Sequence, residues 1–408
     1  MNDVVKFMPE MLIGDELDKK LQILPDYDAG IRNASATERL VALQDLYSVF
    51  IPNKMSREIY SKLYLSLLRS MQKKQSILAV RQYNENNKLI RQNSYESIIG
   101  GSDSFTVIGP SGIGKSSAIS RAVNILTETP VLKLNNTNVI SCLQVQAPAD
   151  CSVKGLLLEI LRKSDEVLNS SYYNNAFKSH PTVDMLIGIV SQVALNHIGL
   201  LIIDEIQNVV NSKNGKTVIG TLTQLINNSG VSICMVGTPE STIFFEQAMM
   251  LARRSLGLNY SAMEYGEEFR EFCKTLINYV YVKEEVDVNE ALFMWFYNHS
   301  SGNASIVVSL IYAAQEIAIL EGYETLSIKT LNLAFERRMA MLHDYIEVPK
   351  TNTPSVRKKT TELPEIIKST TLDAFVSVFE VSSRAKAQGV DIVCELIKND
   401  ISIIEVPV

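Results

Sequence analysis

Apolar positions along this chain change their period twice. From Ser56 onward Ile59, Leu63, Leu67 and Met71 recur every four residues, which predicts one apolar face of a long helix. Its other faces carry Arg57, Lys62, Arg69, Lys73 and Lys74. Upstream, a short helix is predicted over 36–50, capped by Ser35 or Thr37. The rest of the first 50 residues reads as irregular, with turn signals at Leu24-Pro25-Asp26 and Asp28-Ala29-Gly30. Polar, Asn-rich residues 82–94 read as a loop. Short apolar runs then alternate with helical stretches. Strands are expected at 105–108, 140–145, 200–203 and 231–236, and helices at 116–126, from a Ser152 cap to 167, and at 183–196. That alternation predicts an α/β fold with a parallel sheet covered on both faces. From Glu267 the pattern is helical only, at 269–282, 289–298, 304–320 and 328–341. A Pro- and Thr-containing linker at 348–361 leads into a tail with apolar clusters. No internal repeat stands out.

The expected organisation is an N-terminal extension (1–53), a basic helical segment (54–100), an α/β core (101–264), a helical lid (265–348) and a linker with tail (349–408). The length of 408 residues agrees with two to three units.

Charge changes the picture. The net charge of -6 argues against a generic polyanion binder. By segment, however, residues 54–91 hold 9 basic and 2 acidic side chains, whereas residues 259–348 hold 6 and 14. The basic and acidic groups are segregated along the chain. No run of 18 apolar residues occurs, so no membrane span is expected. The first residues lack the order of a signal peptide. Five cysteines without a C-x-x-C spacing read as buried free thiols in a reducing cytoplasm. The four histidines show no metal-ligand spacing.

Gly109-Pro110-Ser111-Gly112-Ile113-Gly114-Lys115-Ser116 matches G-x-x-x-x-G-K-[ST] between a predicted strand and a predicted helix. Glycines at these spacings let backbone N–H groups turn inward around phosphate, and the helix N-terminus adds partial positive charge. Lys115 is expected to reach the β- and γ-phosphates of ATP, Ser116 to hold Mg²⁺, and Ser117 to complete the binding stretch. The run Leu200-Leu201-Ile202-Ile203-Asp204-Glu205 delivers two carboxylates to the C-terminal edge of the sheet, where ligands bind. Asp204 would orient Mg²⁺, and Glu205 would polarise the attacking water. Thr238, ending the next strand, is a candidate partner for phosphate or water. Arg253 and Arg254 are expected in a short helix before Gly257. One of them, supplied by a neighbouring subunit, would stabilise transferring phosphate, worth on the order of 10³-fold or more.

These motifs, with an all-helical lid behind them, describe an AAA+ P-loop NTPase. Residues 56–345 resemble one branch more closely. Gln146-Ala147-Pro148, Ser152-Val153-Lys154-Gly155-Leu156-Leu157, the stretch from His197 through Asp204-Glu205-Ile206-Gln207, and Val236-Gly237-Thr238-Pro239-Glu240 are similar to the TnsC/TniB transposition regulators. The resemblance implies ATP binding and rings or helical filaments on double-stranded DNA. It also implies a link between a target selector of the TnsD/TniQ type and transposase subunits, reset by hydrolysis in the bacterial cytoplasm. Some members belong to CRISPR-associated transposons, and no residue here shows that link. One departure stands out. Many AAA+ lids carry a sensor arginine just after a glycine, but Ser301-Gly302-Asn303-Ala304-Ser305 holds none. Weak lid closure on the γ-phosphate is expected.

For DNA, Lys154 is the first candidate, at a helix start where free N–H groups also attract phosphate. The resembling stretch of the family lines the DNA channel. Polar loop residues near Tyr172 and Tyr173 are expected beside it. The basic segment 54–91, with Tyr60, Tyr64 and Tyr83, is a second candidate. A solvated face docking on acidic neighbours is its alternative. The tail 362–408 is expected to dock a partner. Competing readings are a replication-initiator or clamp-loader-like ATPase, a STAND-type nucleotide-switch scaffold and a P-loop kinase.

Overall fold

The structure is a computed structural model that describes residues 8–75, 104–134, 137–148, 152–210, 215–242 and 256–340. The chain divides into two compact units, Met1–Lys350 and Thr351–Val408, and every described residue lies in the first. Arg253, Arg254, Tyr83 and the tail lie outside the described residues.

The strands are β1 (Phe105–Ile108), β2 (Val131–Leu134), β3 (Thr137–Gln146), β4 (Ile198–Asp204), β5 (Ser232–Gly237) and β6 (Leu256–Asn259). They form one sheet in the order β2-β3-β4-β5-β1-β6. All pairings are parallel except β2 with β3. The central strands β4 and β5 are buried along their whole length, which explains their unbroken apolar runs. Alternation survives inside those runs. Leu201, Ile203, Ile233 and Met235 enter the core on one face; Leu200, Ile202, Cys234 and Val236 enter the core on the other. Two strands were not foreseen. The antiparallel β2 is a short edge strand, and β6 extends the sheet beyond β1 through Leu256-Gly257-Leu258-Asn259.

The helices are α1 (Gly14–Leu21), α2 (Ala36–Ala42), α3 (Lys54–Gln75), α4 (Lys115–Leu126), α5 (Val153–Leu168), α6 (Tyr172–Lys178), α7 (Val183–His197), α8 (Gly215–Ser229), α9 (Glu267–Ile277), α10 (Glu290–Ser300), α11 (Ala304–Leu320) and α12 (Ile328–Arg338). One sheet face packs against α5, α6, α7 and α8, the other against α1, α3 and α4. The lid is α9–α12, and Ala304–Leu320 has the predicted bounds. The predicted helix over 36–50 breaks instead. Ser35 and Glu38 form a capping box for α2, and a 3₁₀ segment, Leu43–Ser48, follows. No single helix among the described residues is long and apolar enough to cross a membrane; the pair α10–α11 passes that test only when joined across a bend of 116°.

Helix α3 forms for the reason its period suggests, since Ile59, Leu63, Leu67 and Met71 are all fully buried. Burying each such side chain is worth about 1.5–3 kcal/mol. An exposed ion pair such as Arg57–Asp18 is worth about 0–1 kcal/mol. The apolar face therefore decides where α3 lies. This corrects the place given to two of the tyrosines of the basic segment, whose residues 76–91 lie outside the described residues. Tyr60 and Tyr64 are buried, and Tyr60 accepts from the Leu12 N–H. Arg57 is paired with Asp18 of its own chain, and Lys62 lies over the Phe105 ring. Lys74 turns inward and donates to the carbonyls of Ala194 and Leu195 at the end of α7.

The N-terminal segment is less an extension than a strap over both parts of the unit. Leu17 and Leu21 of α1 enter the α/β core, where Arg121 donates to the carbonyls of Lys20 and Leu21. Leu43 and Leu46 enter the lid core. Between them Arg39, 2% exposed, forms a bidentate pair with Glu324 at 2.6 and 2.8 Å and also donates to the Tyr281 carbonyl. Arg39 holds the Glu324 carboxyl below its ordinary pKa. Cys142, Cys234 and Cys273 are buried free thiols.

Two outcomes follow for stability. Arg39→Ala removes three hydrogen bonds and leaves Glu324 with Lys283 at 3.6 Å, so it is expected to cost about 2–3 kcal/mol in urea unfolding, and a loss under about 1 kcal/mol contradicts the anchoring role. Burial pushes the Lys74 amine down to about 7 from 10.5. The unfolded chain therefore binds more protons between those values, and stability rises with pH across that window. From about pH 7.5 to about pH 9.5 the protein should gain roughly 2–3 kcal/mol more than Lys74→Met does, and equal slopes would refute the buried amine.

Candidate functional site

The site forms where β1, β4 and β5 end together. Parallel pairing sets Ile108 beside Gly237, and β4 lies on the far side of β5. Backbone bonds knit the ends: Gly109 N to Gly237 O at 3.2 Å, and Ile206 N to Val236 O at 2.9 Å. The chain leaves β1 through 109–114 and re-enters as α4.

Gly112 and Gly114 take φ of +83° and +96°, a region costly for residues with a Cβ. A Cβ on Gly109 would sit 2.6 Å from the Ile113 side chain and 2.8 Å from the Tyr260 carbonyl. The loop is thus a cradle that only these glycines allow. It opens onto a cavity of about 230 Å³ lined by Ser111, Gly112, Gly114, Lys115, Ser116, Ser117, Asp204, Glu205, Gln207, Gly237, Thr238 and Ser305. The N-terminus of α4 has no side-chain cap, so its first N–H groups are available to an anion. Of the predicted nucleotide residues, Gly109, Pro110 and Ile113 build the cradle and the rest line this cavity.

Lys115 is buried, and its Nζ donates to Gly109 O at 2.7 Å and Pro110 O at 2.8 Å. Desolvation lowers its pKa against the opposing pull of Asp204, Glu205 and Glu240. Asp204 is buried and accepts from the Glu205 N–H at 2.8 Å. Glu205 has φ of +57°, unusual for a residue with a side chain and worth about 1–3 kcal/mol of strain. Gln207 Nε2 donates to the Glu205 carboxylate, and its Oε1 accepts from the Thr238 N–H at 3.3 Å. One amide thereby joins the acidic pair to the end of β5. The Thr238 hydroxyl bonds to Glu240 and holds that carboxyl below its ordinary pKa.

A second cavity of about 230 Å³ shares Gly112, Gly114, Ser117 and Ser305 with the first. Its walls are apolar: Val49, Phe50, Ile51 and Pro52 of the strap, Met55 and Ile113, and Met263, Phe272 and Val308 of the lid side. The sequence offered no signal for this chamber, because its walls come from three distant segments. Gln207, Glu240, Asn303 and Ser305 were also missed. Gln207 and Glu240 stood in the quoted motif contexts without a role, and Asn303 and Ser305 stood in the stretch noted for lacking an arginine.

The DNA candidates are placed differently. Lys154 is exposed in the first turn of α5, which Ser152 caps through the Gly155 N–H, and its Nζ lies 3.3 Å from the Pro181 carbonyl. Tyr172 and Tyr173 are not in a loop. They start α6, where Asp165 accepts both their N–H groups at 2.9 and 2.8 Å. The Tyr172 hydroxyl pairs with His197, and the Tyr173 ring stacks on Phe177. Both rings are half-buried against the α/β core.

A family model described as an AAA domain matches residues 99–242. No curated protein matches the chain. Among solved structures, Drosophila ORC bound to DNA aligns at 11% identity and a TM-score of 0.45, over 98% of this chain and 86% of that one. Aeropyrum pernix ORC1 in complex with DNA aligns at 16% and 0.43, over 65% of each chain. Domain III of the Thermotoga maritima replication initiation protein DnaA aligns at 13% and 0.37, over 67% and 94%. The matched span begins just before β1 and ends just after Thr238, so it holds every residue lining the cavity except Ser305. This chain carries an AAA+ P-loop domain, a nucleotide-binding fold, with a helical lid behind it.

Proposed function

We propose that this chain is an ATPase that assembles on double-stranded DNA and regulates transposition, linking a TnsD/TniQ-type target selector to transposase subunits. The observation that carries the ATPase reading is the Gln207 bridge, which sets Glu205 and Thr238 around the cavity that the glycine cradle opens. A nucleotide suits a cradle where Gly109 and Gly112 leave no room for a Cβ and Gly112 and Gly114 take positive φ, and the apolar second cavity suits its base. Ser116 and Asp204 offer the hard oxygen donors that suit Mg²⁺. Bound there, Mg²⁺ would offset charge on the phosphate oxygens.

The chain's own residues do the rest. N–H groups of the loop and of α4 bind the phosphates, and Lys115 adds a cation held among three carboxylates. Glu205 accepts a proton from water as the water oxygen bonds to the terminal phosphorus. The bond from that phosphorus to the bridging oxygen breaks, and its electrons leave with ADP. Gln207 keeps the Glu205 carboxylate facing Thr238. Arg253 or Arg254 is proposed to act on a neighbouring subunit's phosphate.

The transposition reading is supported by the Asp204-Glu205-Ile206-Gln207 and Val236-Gly237-Thr238-Pro239-Glu240 contexts. DNA contact is supported by Lys154 at an exposed helix start, and the 349–408 tail is proposed to engage transposase.

Glu205→Gln is expected to keep ATP and DNA binding and lose hydrolysis by about 10²-fold or more, whereas Lys115→Ala loses nucleotide binding. Normal hydrolysis by Glu205→Gln would show that another group is the base. Electron microscopy with ATPγS and duplex DNA is expected to show rings or filaments that ADP does not support. Monomers that bind nucleotide and ignore DNA would reject the assembly reading and favour a nucleotide-switch scaffold.

A further inference from the structure

The phosphate-binding loop has four consecutive carbonyls, 109–112, and each accepts a hydrogen bond. Lys115 serves the first two. The lid serves the other two: Asn303 Nδ2 donates to Ser111 O at 2.8 Å, and Ser305 N donates to Gly112 O at 3.0 Å. The approach is close enough that a Cβ on Gly112 would meet Asn303 Oδ1 at 2.7 Å.

A trans peptide is planar, so its C=O and the following N–H point in opposite directions. Holding Ser111 O toward the lid sends the Gly112 N–H away from it, and holding Gly112 O does the same for the Ile113 N–H. Those N–H groups are the kind that cradle phosphate in such a loop. The lid end of this contact is itself fixed. Asn303 Oδ1 caps α11 through the N–H groups of Ser305 and Ile306. Gly302, at φ +76°, passes so close to Met263 that a Cβ would sit 1.9 Å from the Met263 carbonyl, and Met263 N donates back to Gly302 O. One amide side chain therefore joins the start of α11 to the loop, with its oxygen used by the helix and its nitrogen by Ser111.

We propose that Asn303 is a positioning residue that couples the lid to the phosphate-binding loop, an inference that rests on the nucleotide reading above. Lid docking sets the Gly112 and Ile113 peptides for phosphate, and by linkage phosphate binding holds the lid. Residues 301–305 bring no charged side chain to the site. The coupling therefore reads whether the loop is filled and not whether a terminal phosphate is present. Di- and triphosphates close the lid alike.

The test compares the full chain with Asn303→Ser and Asn303→Ala. Serine retains an N-cap oxygen for α11 but is too short to donate to Ser111. In the wild type, amide exchange at residues 304–308 should slow to the same extent, within about twofold, with ADP and with a non-hydrolysable ATP analogue. Asn303→Ser should bind both nucleotides about three- to tenfold more weakly, the loss of one neutral hydrogen bond, and should lose that protection. Its unfolding midpoint without nucleotide should fall only slightly, whereas Asn303→Ala should lower the midpoint further through the lost cap. Wild-type affinity in Asn303→Ser overturns the inference, and so does lid protection that appears with the triphosphate analogue only. A wild-type chain that binds no nucleotide defeats the nucleotide reading itself, and the coupling with it.

Discussion

A loop that binds phosphate through its backbone must turn N–H groups inward, and its carbonyls must then be satisfied elsewhere. In this protein that requirement organises the site. Lys115 takes the carbonyls of Gly109 and Pro110, and the lid takes those of Ser111 and Gly112. The same loop is tied to β5 through Gly109 and Gly237. Sheet, helix α4 and lid meet at six residues, so a shift in any one is felt by the others.

The strap explains how the lid is held. Leu17 and Leu21 pack into the α/β core, Leu43 and Leu46 into the lid core, and residues 49–52, which follow, wall the apolar cavity. Arg39 fastens the strap through Glu324. Burial of the strap side chains supplies most of the holding energy, and the buried Arg39 guanidinium, paired with the partly exposed Glu324, ties the strap to the lid at one place.

Much of this was legible along the chain. Continuous apolar runs marked the central strands, since residues buried on both faces leave no polar alternation, and the glycine spacing marked the loop. The segments that escaped are those whose structure depends on distant neighbours. β6 is a four-residue strand with two polar or glycine positions, held by pairing with β1. α1 has few apolar residues and exists by docking on α3 and α4. Tyr60 and Tyr64 looked like surface aromatics beside lysines, and packing against the strap buries them. Asn303 was legible only as a polar residue before a helix, because its contact with the loop lies 192 residues away in sequence.

The central claim is that the glycine cradle of residues 109–114 binds a nucleoside triphosphate under the lid. Calorimetric titration of the full chain with a non-hydrolysable ATP analogue and Mg²⁺ tests it most directly. The account predicts saturable binding of one nucleotide per chain, which inorganic phosphate alone does not match in affinity because it leaves the apolar cavity unfilled. No heat of binding, or a stoichiometry and affinity that survive replacement of Lys115 by alanine, would contradict it.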